Sequence, residues 1–335
     1  MLVALAVSVA PTWHVSAAEE VETLPPKLDP VIAKGLDFLM QNQNPDGSVH
    51  GGGPALAVTA LTLMAFLASG HTPDSGKYGL VVRNATDYLI KQAREDGYWG
   101  AIDGSRMYGQ GIVTLALAEV AGVEPDPVRR NKIRTEVAKS VQLIMKAQDV
   151  AKPAGHQGGW RYEPSAGDSD LSLSGWNALA LRASQNLGMP VPKESVARAV
   201  QFVASCNAKD SGFGYQPGGG GINPGMTGVG ILNLCLLDEP ENPLIANAAK
   251  YMVANPINGG MQYKYYYLYY TTQAAFQVGS DTWAATWKVT IKELLDTQQP
   301  DGGWPPSNEP GRVYATAMSV LTLSVPYRLL PIYQR

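Results

Sequence analysis

Two kinds of helical pattern alternate along the chain. One has a charged face and a single apolar stripe, as in Val137-Ala-Lys-Ser-Val-Gln-Leu-Ile-Met-Lys146. The other is nearly free of charge on every side, as in Pro54-Ala-Leu-Ala-Val-Thr-Ala-Leu-Thr-Leu-Met-Ala-Phe66. A single stripe rests on a core, whereas a helix apolar all round must be buried. The first kind is predicted over 29–43, 78–95, 126–148, 192–206, 242–254 and 281–298, and the second over 54–69, 107–121, 171–187, 226–237, 266–278 and 315–327. Helix-start signals support the first set: Asp29-Pro30, Asp126-Pro127, Asn242-Pro243 and Asp281. Gly70, Gly122, Gly188 and Gly279 stand where members of the second set should end.

Between the two helices of each unit lies a glycine followed by a large residue. The copies are Asp46-Gly-Ser-Val49, Asp96-Gly-Tyr-Trp99, Gly158-Gly-Trp160, Ser211-Gly-Phe213, Gly259-Gly-Met261 and Asp301-Gly-Gly-Trp304, spaced 50, 61, 53, 48 and 43 residues apart. A period near 50 with that scatter indicates supersecondary units joined by loops of varying length. One exposed and one buried helix per unit, repeated six times, is what two concentric rings require. An open solenoid would need polar capping repeats at its ends, yet the last inner pattern, 315–323, is as apolar as the middle ones. The expected fold is all-α: a single-domain (α/α)6 toroid over 29–335, in which the landmark loops and Asp168/Asp170 gather at one end.

The rest of the sequence narrows the field. Only 16% of residues are charged and the net charge is −3, with Lys and Arg scattered singly apart from the pair Arg129–Arg130, so nothing resembles the basic footprint of a nucleic-acid partner. Cys206 and Cys235 fall in apolar helical stretches and read as buried thiols rather than as a zinc site or a disulfide framework. No cofactor or bound metal is called for. Residues 1–18, apolar and ending in Val15-Ser-Ala17-Ala, read as a signal peptide without a basic n-region, which makes export to the periplasm or medium the expectation; 19–28 read as a linker. No later segment has the roughly 20 uninterrupted apolar residues of a membrane helix.

The landmarks resemble the QW repeat of the squalene cyclase and prenyltransferase superfamily, whose pattern is Gln, a few residues, Gly, any residue, Trp. Gln92-Ala-Arg-Glu-Asp-Gly-Tyr-Trp99 and Gln299-Pro-Asp-Gly-Gly-Trp304 match in full, Gln43-Asn-Pro-Asp-Gly-Ser-Val49 lacks the aromatic, and the copy ending at Trp160 carries an insertion after Gln148. The resemblance implies an α/α toroid but no particular reaction. Zinc-dependent protein prenylation would need Asp, Cys and His on the last inner helices. Tyr269-Tyr-Thr-Thr-Gln-Ala-Ala-Phe276 and Val313-Tyr-Ala-Thr-Ala-Met318 offer neither Cys nor His. Class II terpene cyclases instead carry Asp-x-Asp-Asp-Thr-Ala at the start of an inner helix, and Asp168-Ser-Asp170-Leu-Ser-Leu173 lies over that motif with Leu171, Ser172 and Leu173 at its last three positions.

That alignment makes Asp170 the candidate general acid and Asp168 its neighbour. Protonating an alkene requires a carboxylic acid kept protonated in a dry pocket. An Asp before a helix is also an ordinary N-cap, which explains Asp170 without catalysis. Candidate ligand-contacting aromatics at the same end are Trp160, Tyr162, Trp176, Tyr215, Tyr263, Tyr266 and Tyr314, since cations rest on π faces. Three functions remain open. The first is a cyclase-like toroid acting on or binding a hydrophobic isoprenoid of polyprenyl or triterpene type. The second is a non-catalytic toroid for a protein, peptide or lipid partner. The third is a glycan-active barrel using two of Asp46, Asp96, Asp103, Glu163, Asp168, Asp170 and Glu309. Full squalene cyclases resemble two such toroids, so a lone one holds its ligand in its own funnel or associates with a second toroid chain.

Overall fold

The computed structural model describes residues 28–209 and 211–334; the expected signal peptide and residues 19–27 of the expected linker lie outside them. Among the described residues thirteen α-helices follow one another: α1 (Leu28–Gln41), α2 (Ala55–Ala68), α3 (Gly79–Lys91), α4 (Gly100–Asp103), α5 (Arg106–Val123), α6 (Pro127–Gln148), α7 (Leu171–Asn186), α8 (Lys193–Ser205), α9 (Pro224–Leu236), α10 (Leu244–Ala254), α11 (Lys264–Val278), α12 (Ser280–Thr297) and α13 (Arg312–Leu323). Helices α2, α5, α7, α9, α11 and α13 each pack on the next, and α13 packs back on α2, which closes the inner ring. The other long helices form the outer ring, each against the inner helices that precede and follow it, and α1 lies on α13 and α2. Burial follows the two patterns: all but the first residue of α2 is buried, whereas α12 buries only Trp287, Thr290 and Leu294. The (α/α)6 toroid expected from the sequence is therefore the fold. Some boundaries differ: α5 runs through Gly122 to Val123, and α12 starts beside Gly279 rather than at an Asp281 cap.

The landmark loops are the joints between units. Gln148 Nε2 donates to Gly158 O of its own loop and to Ser195 O in the first turn of α8, both at 2.9 Å. Gln298 Nε2 donates to Gly302 O and to Val31 O of α1, again both at 2.9 Å, so the same joint fastens the last unit to the first. Gln43 repeats it with Gly47 O at 3.2 Å and Val81 O of α3 at 2.9 Å. The functional glutamine is thus Gln298, one residue before the Gln299 of the sequence motif. In the second unit Ala93 stands at the matching place, four residues before Gly97, so the full motif match at Gln92 makes no such joint. The glycines are needed because the loop touches the neighbouring helix: Gly302 has φ +90° and a Cβ there would lie 2.2 Å from Lys34 O, and Gly158 meets Arg198 O in the same way.

A second set of bonds ties each loop to its inner helix. The backbone N–H of the landmark residue donates to a side chain on that helix: Val49 to Thr59, Trp99 to Gln110, Trp160 to Ser174, Phe213 to Thr227 and Trp304 to Thr316. The indole N–H groups reach outward, from Trp160 to Ile144 O of α6, Trp304 to Leu294 O of α12 and Trp99 to Ser140 of α6. Each aromatic therefore fills the space between rings with its polar atoms satisfied.

The opposite end of the ring is stopped. A 3-10 turn at Pro331–Tyr333 packs on α5 and α7. There Ile332 N–H faces Glu119 Oε2 at 3.4 Å, Gln277 Nε2 donates to Tyr333 O at 3.2 Å, and the Tyr333 and Tyr269 hydroxyls bond to each other.

Replacing Gln298 with Ala is expected to lower unfolding free energy by about 2 kcal/mol, because two carbonyls lose their donor. Gly302→Ala is expected to cost about 3 kcal/mol or more through overlap and backbone strain; urea denaturation of both variants measures this. Burial pushes the Glu119 carboxyl up to about 8 from 4.5, with the Ile332 N–H acting the other way. The unfolded chain thus releases this proton first as pH rises, so stability falls between about pH 4.5 and 8. Glu119→Gln is expected to flatten that slope and to stabilise the protein at pH 8 by a few kcal/mol, on the order set by the shift; thermal unfolding across this pH range is the measurement.

Candidate functional site

The inner helices all start at the landmark end, so their N-termini surround one mouth. Unpaired N–H groups there need acceptors, and the acidic and amide side chains at this end supply them. Asp170 caps α7 through Leu173 N at 3.1 Å, and Asn223 caps α9 through Met226 N at 2.8 Å. Asp103 Oδ2 accepts from Leu56 N of α2 at 2.8 Å, and Glu309 accepts from Tyr265 N of α11 at 2.9 Å and from Ser307 N at 2.7 Å. Burial raises the Glu309 carboxyl, and those backbone donors act against it. Asp46 and Asp96 close their own loops on Ser48 and Tyr98. Among the carboxylates proposed for glycan cleavage, only Glu163 and Asp168 make no backbone cap, and both face arginines: Glu163 lies 3.2 Å from Arg106 and Asp168 3.4 Å from Arg161.

Asp170 is fully buried. Its Oδ1 accepts from Ser172 Oγ at 2.6 Å as well as from Leu173 N, and its Oδ2 accepts from Arg161 Nη1 at 2.7 Å. Both oxygens are therefore occupied as acceptors. Arg161 also donates to Tyr215 OH at 2.8 Å and lies over the Tyr162 and Tyr215 rings, 4.8 and 5.4 Å from their centroids. Partial burial works against its charge, but the Asp170 bond and charge hold the guanidinium protonated. The Tyr162 and Tyr215 hydroxyls meet at 2.9 Å, and Tyr108 bonds Ser172 Oγ. Ser169 N–H, next to Asp170 in the chain, donates to His156 Nδ1 at 3.0 Å.

Beneath this collar the ring is filled with aromatic side chains. Trp176 stacks on Tyr269 with centroids 5.9 Å apart and meets Tyr270 edge-on at 5.3 Å, while Tyr266 packs 4.7 Å from Tyr270 and donates to Ser172 O at 3.2 Å. Burial raises the Tyr266 and Tyr270 phenols well above their ordinary value, so they remain neutral. Asp168, Asp170, Tyr162 and Tyr215 thus meet around Arg161, with Trp176 and Tyr266 below. Tyr314 is partly exposed at the mouth, and Tyr263 is 47% exposed with φ +57° at the start of α11. Trp160 sits elsewhere, buried against α6 on the far side of its loop.

Sequence reasoning missed Arg161 and Tyr108, the groups that organise this collar. Arg161 follows the landmark Trp160 directly, and adjacent side chains on such a loop point to opposite sides. That alternation was the available signal, although it does not say that Arg161 meets Asp170.

No family model matches the chain, and no curated protein matches it. Solved structures do. They include the α-1,6-mannanase GH76A of Salegentibacter sp. HEL1_6, with TM-score 0.65 and 10% identity over 90% of this chain and 99% of that one. A D-mannose isomerase has TM-score 0.62 and 15% identity over 90% and 97%, and the type II terpene cyclase MstE from Scytonema has TM-score 0.57 and 15% identity over 91% and 99%. These proteins differ in chemistry and share a toroid, so the likeness is one of fold.

Proposed function

We propose that this chain is a non-catalytic toroid that binds a protein partner at the mouth of its ring. The observation that carries this reading is the state of Asp170: both oxygens accept hydrogen bonds, one from Arg161. A general acid must instead present a protonated oxygen to its substrate. The collar suits recognition, because Tyr108, Tyr162, Tyr215, Tyr263 and Tyr314 offer large, rigid rings with polar tips around Arg161. With the export expected from residues 1–18, that partner lies outside the cytoplasm.

A second reading, an isoprenoid cyclase with Asp170 as acid, draws on the aromatic wall of Trp176, Tyr266, Tyr269 and Tyr270 below the aspartate. It requires Arg161 to leave Asp170 when substrate enters.

The two readings differ in what Asp170→Asn does. For the binding toroid, squalene and geranylgeranyl diphosphate give no cyclic product with either form, and the variant loses about 3 kcal/mol of stability because Arg161 is left without its buried partner. A photo-cross-linker at Tyr162 is expected to give a discrete partner adduct that the same group at Lys250, on the outer face of α10, does not. Cyclic product from the unaltered chain that disappears in Asp170→Asn would overturn the binding reading.

A further inference from the structure

The fifth unit lacks the bond that ties the landmark loop to the inner helix, Met261 N–H donating to Asn258 O instead, and a groove stands in its place. In the other units the inner helix presents a polar side chain to the landmark N–H two residues after a residue facing the ring mouth: Gln110 after Tyr108, Ser174 after Ser172, Thr316 after Tyr314. In α11 the residue two after Tyr266 is Leu268. The fifth landmark carries Met261, where Trp99, Trp160, Phe213 and Trp304 stand in four others. Trp160 bonds to α6 and α7, and Gly159 beside it would strike Phe202 of α8 if it carried a Cβ. The equivalent space bounded by α10, α11 and α12 is an open groove of about 690 Å³, lined by Val253, Ile257, Leu268, Ala285 and Val289. Val253 and Val289 are 36% and 40% exposed. A groove of this size lies in the range of ligand-binding clefts, and it holds more than one indole, leaving room for flanking residues.

The rim carries charge that is not balanced. Glu293 pairs with Lys264 at 2.8 Å and Lys292 with Asp296, whereas no carboxylate among the described residues pairs with Lys288. We propose that this groove binds a segment of a partner protein in which an aromatic side chain is flanked by a carboxylate. The ring takes the niche that the landmark aromatics fill in the other units, and the carboxylate faces Lys288. The groove is separate from the ring mouth, and the proposal does not depend on what the mouth binds.

The test is an NMR titration of the full chain with acetyl-Glu-Trp-Glu-amide, against acetyl-Glu-Ala-Glu-amide, acetyl-Lys-Trp-Lys-amide and geranylgeraniol. The Glu-flanked tryptophan peptide is expected to shift the amides of Val253, Leu268 and Val289, and the alanine peptide to leave them in place. Ala285→Trp, which fills the groove from α12, is expected to weaken binding at least tenfold. Lys288→Glu, a surface change that carries the test should Ala285→Trp fail to fold, is expected to turn the preference toward the Lys-flanked peptide. Equal shifts from the alanine peptide, undiminished binding in folded Ala285→Trp, an unchanged preference in Lys288→Glu, or tighter occupation of the groove by geranylgeraniol would each overturn the assignment.

Discussion

The ends of this ring are fastened by a contact that three of its six units share, a glutamine amide placed between two backbone carbonyls of consecutive units. Gln298 makes the contact between the last unit and the first, through Gly302 O and Val31 O. The geometry demands a glycine at the loop, since Gly302 with φ +90° leaves no room for a Cβ beside Lys34 O. Once the loop is held there, its aromatic has one place to go, between the outer helix and the inner helix. A toroid built this way has no exposed end to cap, which is why its last inner helix is as buried as the others.

The same arrangement determines the chemistry of the landmark end. Six helix N-termini converge there, and their unpaired N–H groups attract acceptors. Asp103, Asp170 and Glu309 meet this need. Much of the acidity at this end is thus engaged in capping helices. What remains available at the mouth is tyrosine surface around an ion-paired arginine. At the other end the Pro331–Tyr333 turn closes the ring over a buried glutamate.

Departures from the repeat are as informative as the repeat itself. The fifth unit keeps its helices, because their neighbours still bury α11 on both sides, yet Leu268 stands where the others have the acceptor of the loop bond and Met261 where four of them have an aromatic. Ring closure tolerates this loss when the other joints hold, and the unit is left with a surface that the others do not have.

The alternation of striped and wholly apolar helices was enough, in the sequence alone, to establish the two rings, because helix burial follows directly from the distribution of apolar residues around 3.6-residue turns. The landmark glycines were equally legible, as were Asp170 as the start of α7 and the collection of Asp168, Tyr162 and Tyr215 at one end. Other features belong to contacts between residues far apart in the chain, and local pattern carries no record of them. The pairing of Arg161 with Asp170 depends on how a loop folds back across α7. The cap that Asp103 gives to Leu56 spans 47 residues. The place of Gln298 rather than Gln299 in the joint depends on where α12 ends against α1, and the groove of the fifth unit exists only because α10 and α12 stand on either side of Leu268. Period and burial are properties of single helices and can be read from one; charge pairing and open space arise only when helices meet.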